Sequence, residues 1–271
     1  MMNKPVVSII MGIYNCENTL KESIESILNQ SYGNWELIMC DDCSKDNTLK
    51  IAKEYEEKYP DKIKVIENKE NLTLGPTLNR CLKIANGKYI ARQDGDDLSL
   101  ATRLEEEIAF LENNPEFDLV GTNMISFDSN GEKGYHIMKE IPVKDDYLKK
   151  GVTFAHATIV MKTGVMKSLG GYCEDWYARQ AEDYELWSRF FEEGYRGYNL
   201  QKKLYYVRED SNAYKRRSSR RRLRGMYLNM KIYPRIKAPF YCYITILKDF
   251  IAIFIPSKVF GYYYKLKLKQ E

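Results

Sequence analysis

The 271-residue sequence predicts an α/β protein: a doubly wound, mostly parallel sheet flanked by helices, followed by a helical tail rich in basic and aromatic residues. Three observations lead there. The chain opens on an unbroken β-branched run, apolar runs of strand length then alternate with segments of helical period, and the charge changes sign near residue 212. Strands apolar at every position suit a parallel sheet, because its crossover helices cover both faces.

Each element follows from its own pattern. "VVSIIMGIYN", residues 6–15, is the first strand. In "ENTLKESIESILNQ" the residues Leu20, Ile24, Ile27 and Leu28 recur at helical spacing and form one apolar stripe. "WELIMC" is a second strand, and in the following "DDCSKDNT" either Ser44 or Asp46 can cap a helix that runs to about Tyr59, where Pro60 stops it. "KIKVIEN" reads as a third strand, "GPTLNRCLKIANG" as a helix closed by Gly87 at its C-cap, and "KYIARQ" as a fourth strand. "LSLATRLEEEIAFLEN" has a helical pattern, as does "ARQAEDYELWSRFFEEGY", where Tyr184, Trp187, Phe190 and Phe191 share a face.

Composition narrows the function. At 44% hydrophobic and 13% aromatic the chain can bury a substantial core. No apolar run follows a basic start at the N-terminus, so no secretory signal is read there, and a cytoplasmic location is expected. The six cysteines are scattered and lack the spacing of a disulfide framework. The pair Cys40-x-x-Cys43 has no second pair, and the chain has only His136 and His156, so zinc is not expected; Cys40 ends a strand and Cys43 falls in the turn after it. Residues 213–271 hold 15 Lys or Arg against 2 acids, a net +13, which leaves −9 for residues 1–212. The chain divides accordingly into a body, 1–212, and an extension, 213–271.

Ligands of doubly wound sheets bind beyond the carboxyl ends of the strands, and two acidic clusters fall at that edge. Asp41 and Asp42 follow the second strand; Asp94, Asp96 and Asp97 follow the fourth. No glycine-rich phosphate loop follows the first strand, which argues against a dinucleotide or ATP held by backbone amides. Carboxylates this close repel one another unless a cation sits among them. A hard divalent ion, Mn²⁺ or Mg²⁺, takes one or two of them and completes its shell with water and phosphate oxygens, so an acidic pocket can hold an anionic substrate. An EF-hand loop starting at Asp94 fails, because Leu98 and Ser99 stand at its fifth and sixth positions. A third acidic pair, Glu182 and Asp183, opens the last helix of the body, where helix-dipole compensation explains it as well as catalysis does.

The stretches "VSIIMGIYN", "LNQSYGNWELIMCDDCSKDNT", "NGKYIARQDGDD" and "AEDYELWSRF", in this order and spacing, resemble a family 2 glycosyltransferase with the GT-A fold, of the kind that builds bacterial surface polysaccharides. The resemblance covers about Val6 to Asp210. It implies that Asp41 or Asp42 binds the base or ribose of a nucleotide-sugar, most simply a UDP-sugar. Asp94 and Asp96 would hold the ribose and the metal on the diphosphate, with Asp97 as support. Asp183, with Glu182 beside it, would take the proton of an acceptor hydroxyl, so that direct attack inverts the anomeric centre. His156 is expected near the diphosphate or the acceptor, and Arg92 either contacts nucleotide or balances the aspartates. Two departures stand out. Cys43 replaces a glycine common in the turn after the second strand, and Arg208 stands where many relatives carry a histidine, so a third protein ligand to the metal is not expected and Arg208 is assigned to the phosphates.

The tail combines "KRRSSRRRLRGMY" with an aromatic and aliphatic stretch. Sixteen residues separate Pro239 from Pro256, with Lys248 and Asp249 among them, which is too short for a bilayer span. An amphipathic segment lying on an anionic membrane fits better, with packing on the body or self-association as alternatives. That placement suits a glycan or lipid-linked acceptor at the inner face of the cell membrane. Nucleic acid is not expected as a partner, since the basic run lacks a reading module. The rival reading is a non-catalytic nucleotide-sugar-binding or membrane scaffold on the same fold.

Overall fold

The computed structural model describes residues 5–209 and 219–253. In chain order the elements are β1 Val7–Ile13, α1 Leu20–Leu28, β2 Trp35–Asp41, α2 Thr48–Lys58, β3 Ile63–Glu67, α3 Leu74–Ile84, β4 Tyr89–Arg92, β5 Leu98–Ser99 and α4 Arg103–Asn113. There follow β6 Leu119–Asp128, β7 Gly131–His136, α5 Lys144–Lys150, a 3₁₀ turn His156–Thr158, β8 Val160–Lys162, α6 Thr163–Ser168, α7 Glu182–Glu192, β9 Gly197–Arg208, α8 Ser219–Arg235 and α9 Phe240–Ile253.

One sheet runs in the order β3-β2-β1-β4-β8-β6-β9-β5, with β7 paired to β6. Strands β1 to β4 are mutually parallel, and antiparallel partners enter only from β8 onward, although β6 and β9 are again parallel. The unbroken apolar runs are explained by the two faces. Ile9 and Met11 of β1 and Leu37 and Met39 of β2 face one core with α1, α2 and α4. Ile10, Ile38 and Cys40 face the other, which includes Leu78, Trp187 and Phe190 of α3 and α7. A strand buried on both sides has no polar side to show.

One local alternative is decided and one expectation is overturned. Asp46, not Ser44, accepts the amide of Thr48 at 3.0 Å at the start of α2, while Ser44 Oγ accepts the amide of Asn15. Gly87 does not cap α3: the helix ends at Ala85 in extended conformation, and Gly87 instead lets the chain pass under β1, where a Cβ would lie 2.5 Å from the Ser8 nitrogen.

The tail helices close over the α7 side of the sheet. Leu228, Ile232, Tyr233 and Ile236 of α8 and its turn, with Cys242 of α9, are buried in the same apolar cluster as Trp187 and Phe190. The boundary drawn at residue 212, much of the basic run and residues 254–271 lie outside the described residues.

The strand edge is fixed by a buried cation. Arg103, fully buried, donates from Nε to Glu107, from Nη1 to the side chains of Gln93 and Ser99, and from Nη2 to the carbonyls of Arg92 and Thr158, at 2.8–3.2 Å. All five donors are met. Burial nevertheless pushes the Glu107 carboxyl up to about 8, with Arg103 working against it. Replacing Arg103 by leucine strands Glu107 and takes one donor from each of four further acceptors, of which Gln93 keeps the Ser99 hydroxyl. The variant should unfold with about 3–5 kcal/mol less stability in urea titration, whereas an unchanged midpoint would show that the network carries no net energy.

Candidate active site

The carboxyl ends of β1, β2 and β4 meet at one edge, with Ile13 in register with Asp41 and Ile10 with Arg92. The two aspartates after β2 have different fates. Asp42 is consumed by the fold: its oxygens accept from Asn68 Nδ2 at 2.7 Å and from the amides of Leu72 and Thr73 at 2.7 and 2.9 Å, tying the loop before α3 to the strand. Asp41 gives one oxygen to the Ser44 amide at 3.0 Å, and its Oδ1 is buried without a partner among the described residues. Such an orphan acceptor costs about 1–3 kcal/mol. Cys43 takes φ +64°, the left-handed conformation that a glycine would adopt freely, at a cost of about 1 kcal/mol.

The loop after β4 is built on a second buried guanidinium. Arg92 donates from Nη2 to Asp94 at 2.5 Å and from Nη1 to the Gln93 carbonyl; its buried Nε has no partner among the described residues. Burial disfavours its charge, but Asp94, Tyr172 and Tyr205 together more than offset that. Ser23 and Thr19 of the α1 region hold the carbonyls of Asp94 and Gly95 at 2.7 and 3.1 Å. Asp96 lies at the open rim, where its dense surroundings and then Asp94 push its carboxyl up. Asp97 points inward to accept the Arg208 amide at 2.7 Å, and burial, Asp94 and Asp96 push it up to about 8. Carboxyls held up in this way are chemistry that a hard cation would relieve, and Asp96 with Asp94 could hold one together with phosphate and water oxygens. Among the described residues no group of three or more His, Cys, Asp or Glu is placed to hold a metal.

The third motif approaches the same place. Tyr172 stands among Arg92, Asp94, Glu182 and Asp183, all of which act on its phenol, which burial pushes up first of all. His156 bonds its hydroxyl through Nε2 at 2.8 Å and rests edge-on against Trp187. Burial, then Arg92, pushes the imidazole well below its usual value, so it is neutral. Glu182 is buried and turns back to accept the amide of Gln180 at 2.9 Å; burial lifts its carboxyl. Asp183 is half-buried, with Oδ1 on the Tyr184 amide at 2.8 Å.

Arg208, assigned to phosphates on sequence, is held at the rim by Asp96 and Glu22: Nε donates to the Asp96 carbonyl at 2.9 Å and Nη2 to the Glu22 carboxylate at 2.7 Å. Pattern reading missed Gln93, Arg103 and Tyr172. A glutamine inside an apolar strand and an arginine opening an acidic helix were the visible signals. A separate cavity of about 410 Å³ between α3 and α6 touches none of these acidic loops.

A family model for glycosyl transferase family 2 matches residues 8–169, more than half of the chain. The chain belongs to glycosyltransferase family 2. It is 50% identical to EpsE of Bacillus subtilis, a protein that carries the name of a glycosyltransferase, over all of this chain and 97% of that one. Among solved structures it is similar to TarS of S. aureus in complex with UDP-GlcNAc, at a TM-score of 0.67 and 22% identity over 84% of this chain and 66% of that chain. It is also similar to the mannosyltransferase PcManGT of Pyrobaculum calidifontis in complex with GDP-Man and Mn²⁺, at a TM-score of 0.66 and 19% identity over 93% and 70%. These likenesses establish the GT-A fold for this family 2 glycosyltransferase, and the motifs at residues 41–42 and 94–97 fall inside the matched span.

The lowered His156 pKa has a consequence for stability. The unfolded chain binds a proton near pH 6.5 and the folded one only far below, so the stabilisation is complete above 6.5 and is lost as pH falls below it. Between pH 7 and 5 the slope approaches about 1.4 kcal/mol per pH unit from this group. His156→Gln, which retains a polar partner for Tyr172, should flatten that slope in urea titrations; an identical slope would mean that the imidazole is charged in the folded state.

Proposed function

We propose that this family 2 glycosyltransferase moves a sugar from a nucleoside-diphosphate donor, a UDP-sugar, to a hydroxyl of a glycan or lipid-linked acceptor in surface polysaccharide synthesis. The supporting observation is the meeting of two acidic motifs, Asp94 in the loop after β4 and Glu182 with Asp183 on α7, around Arg92 and Tyr172, with Asp41 at the end of β2 on the same edge of the sheet. Asp41, with its unpartnered buried oxygen, is the contact for the base or ribose, and Asp42 supports it by fixing the loop above. Asp94, oriented by Arg92, faces the ribose, and Asp96 with Asp94 holds Mn²⁺ or Mg²⁺. That ion would neutralise charge growing on the leaving diphosphate. Arg208 and the neutral His156 border the diphosphate, and Asp97 keeps the loop in place through the Arg208 amide.

Asp183 is the base. Its carboxylate takes the acceptor proton as the hydroxyl attacks the anomeric carbon from the face opposite the leaving group, so configuration inverts in one displacement. Glu182 holds the turn that presents it. The UDP-GlcNAc complex of TarS and the Mn²⁺ complex of PcManGT support donor and metal by likeness of fold.

The tail supports a membrane-bound acceptor. No helix among the described residues is long and apolar enough to cross a membrane. On α9, however, Phe240, Tyr243, Ile244, Leu247 and Phe250 recur at helical spacing and are exposed, Phe240 by 82% and Leu247 by 59%. Lys231 and Lys237 stand exposed nearby, and the sequence of α8 has no acid. Such a face lies naturally in an anionic lipid surface. The full chain should float with vesicles containing anionic lipid, and Phe240→Ser with Leu247→Ser should release it; flotation unaffected by both changes would remove α9 from that role.

Calorimetric titration with UDP and GDP, each with Mn²⁺ and with chelator, tests the donor site. UDP should bind with metal and lose at least tenfold in affinity in Asp96→Ala. Asp183→Asn should bind UDP as the parent does while turnover falls about 10²–10⁴-fold. Absence of any nucleotide binding would favour the non-catalytic scaffold.

A further inference from the structure

Beside the base lies a group of aromatic rings that the donor chemistry does not use. Trp176 is 49% exposed, whereas Trp35 and Trp187, the chain's other tryptophans, are buried. Its ring lies 5.1 Å from that of Tyr227 and 6.0 Å from that of Tyr177, and Tyr177 and Tyr227 are 5.3 Å apart. Tyr177 and Tyr227 are half-buried, so the cluster reaches solvent chiefly through Trp176.

The rings are held by the elements that present Asp183. Trp176 and Tyr177 belong to tight turns in which Ala178 donates to the Asp175 carbonyl and Ala181 to the Ala178 carbonyl, immediately before α7. Gln180, at φ +66°, is kept there by Glu182. Tyr227 comes from α8, which is clamped to α7: the Tyr184 hydroxyl donates to Asn229 at 3.0 Å, and Arg235 pairs with Glu192 at 2.5 Å and Glu185 at 3.5 Å. Tyr184 adjoins Asp183, and Asn229 lies two residues from Tyr227. The loop that carries Trp176 and Tyr177 runs from Tyr172, which stands among Arg92, Asp94, Glu182 and Asp183, to Glu182 at the start of α7. The orphan oxygen of Asp41 lies at the end of β2.

We propose that Trp176, Tyr177 and Tyr227 form a subsite for a pyranose ring of the acceptor. A pyranose shows axial C–H bonds on one face and hydroxyls at its rim; an aromatic plane covers the first, and the exposed Glu174, Asp175, Arg179 and Gln180 are in place for the second. The charges beside the rings are mixed, Glu174 and Asp175 with Arg179 and with Lys231, whose Nζ lies 5.5 Å from the centre of the Tyr227 ring, so this surface lacks the net positive charge that an anionic lipid surface selects. The inference rests on the transferase reading with Asp183 as base.

The full-length protein is titrated with methyl β-D-glucopyranoside and with methyl N-acetyl-β-D-glucosaminide, with and without UDP and Mn²⁺, while tryptophan emission and saturation-transfer NMR are recorded. The expected result is a saturable emission change for at least one saccharide, with transfer strongest to ring C–H protons. Trp176→Phe should abolish the emission change while keeping saccharide binding within about threefold. Trp176→Ala, at a site exposed enough to leave the fold intact, should weaken binding at least tenfold and leave UDP affinity within twofold of the parent. The proposal is overturned if Trp176→Ala binds saccharide as the parent does, or if neither saccharide binds in either state. It is equally overturned if emission follows protein concentration without saccharide, which would mark a contact between copies. Loss of UDP binding in the parent protein would instead defeat the donor assignment, and the saccharide titrations without nucleotide would still decide the subsite.

Discussion

A guanidinium without access to water must have every donor met, and Arg103 shows what that requirement does to a fold. A buried cation left unpaired costs several kcal/mol. Its five N–H groups therefore dictate where the Gln93 and Ser99 side chains, the Arg92 and Thr158 carbonyls and Glu107 must stand. These belong to β4, the loop after it, α4 and the 3₁₀ turn that carries His156. One side chain thus joins the strand end to the elements on either side of it. Gln93 relays the constraint, reaching the carbonyl of Asp97 at 2.9 Å and the hydroxyl of Ser23 at 3.2 Å.

Arg92 continues the same logic toward solvent. With its backbone fixed by Arg103, its guanidinium is left beneath the acidic loop, where it fixes Asp94 and adds to the burial that lowers the His156 imidazole. Arg92 and Arg208 both act on Asp96, yet burial and then repulsion within the loop make Asp96 and Asp97 bind their protons more tightly than free carboxylates do. On the proposed reading a divalent ion and a diphosphate would enter such a site together, because each alone leaves the charge unbalanced.

The α7 helix links this chemistry to the tail. Glu185 and Ser188 are buried on a helix whose apolar stripe is formed by Leu186, Trp187 and Phe190. Glu185 is met by Arg189 and by Arg235 of α8, and the Ser188 hydroxyl accepts from Arg235. The helix that carries Glu182 and Asp183 is consequently packed on one side by the sheet and on the other by α8. A surface that positions α8 and α9 also bears on Glu182 and Asp183.

Much of this was legible in the residues themselves. Continuous apolar runs require burial on both faces, helical stripes require one covered side, and acidic clusters after strands require a cation or a proton; these are local demands, and the chain states them locally. They located β1 to β4, α1 to α3, the three acidic motifs and the family. What spacing could not express was which oxygen stays free. Asp41 and Asp42 are chemically equal neighbours, and only the amides of Leu72 and Thr73, some 30 positions away, take the second and leave the first. Arg208 finds Glu22 across 186 positions, Arg103 finds the Thr158 carbonyl across 55, and Gly87 owes its identity to the nitrogen of Ser8. Such partners are chosen by where the sheet brings strand ends together, and the hydrogen-bonding demands of buried charge then settle which side chains serve the fold and which are left for a substrate.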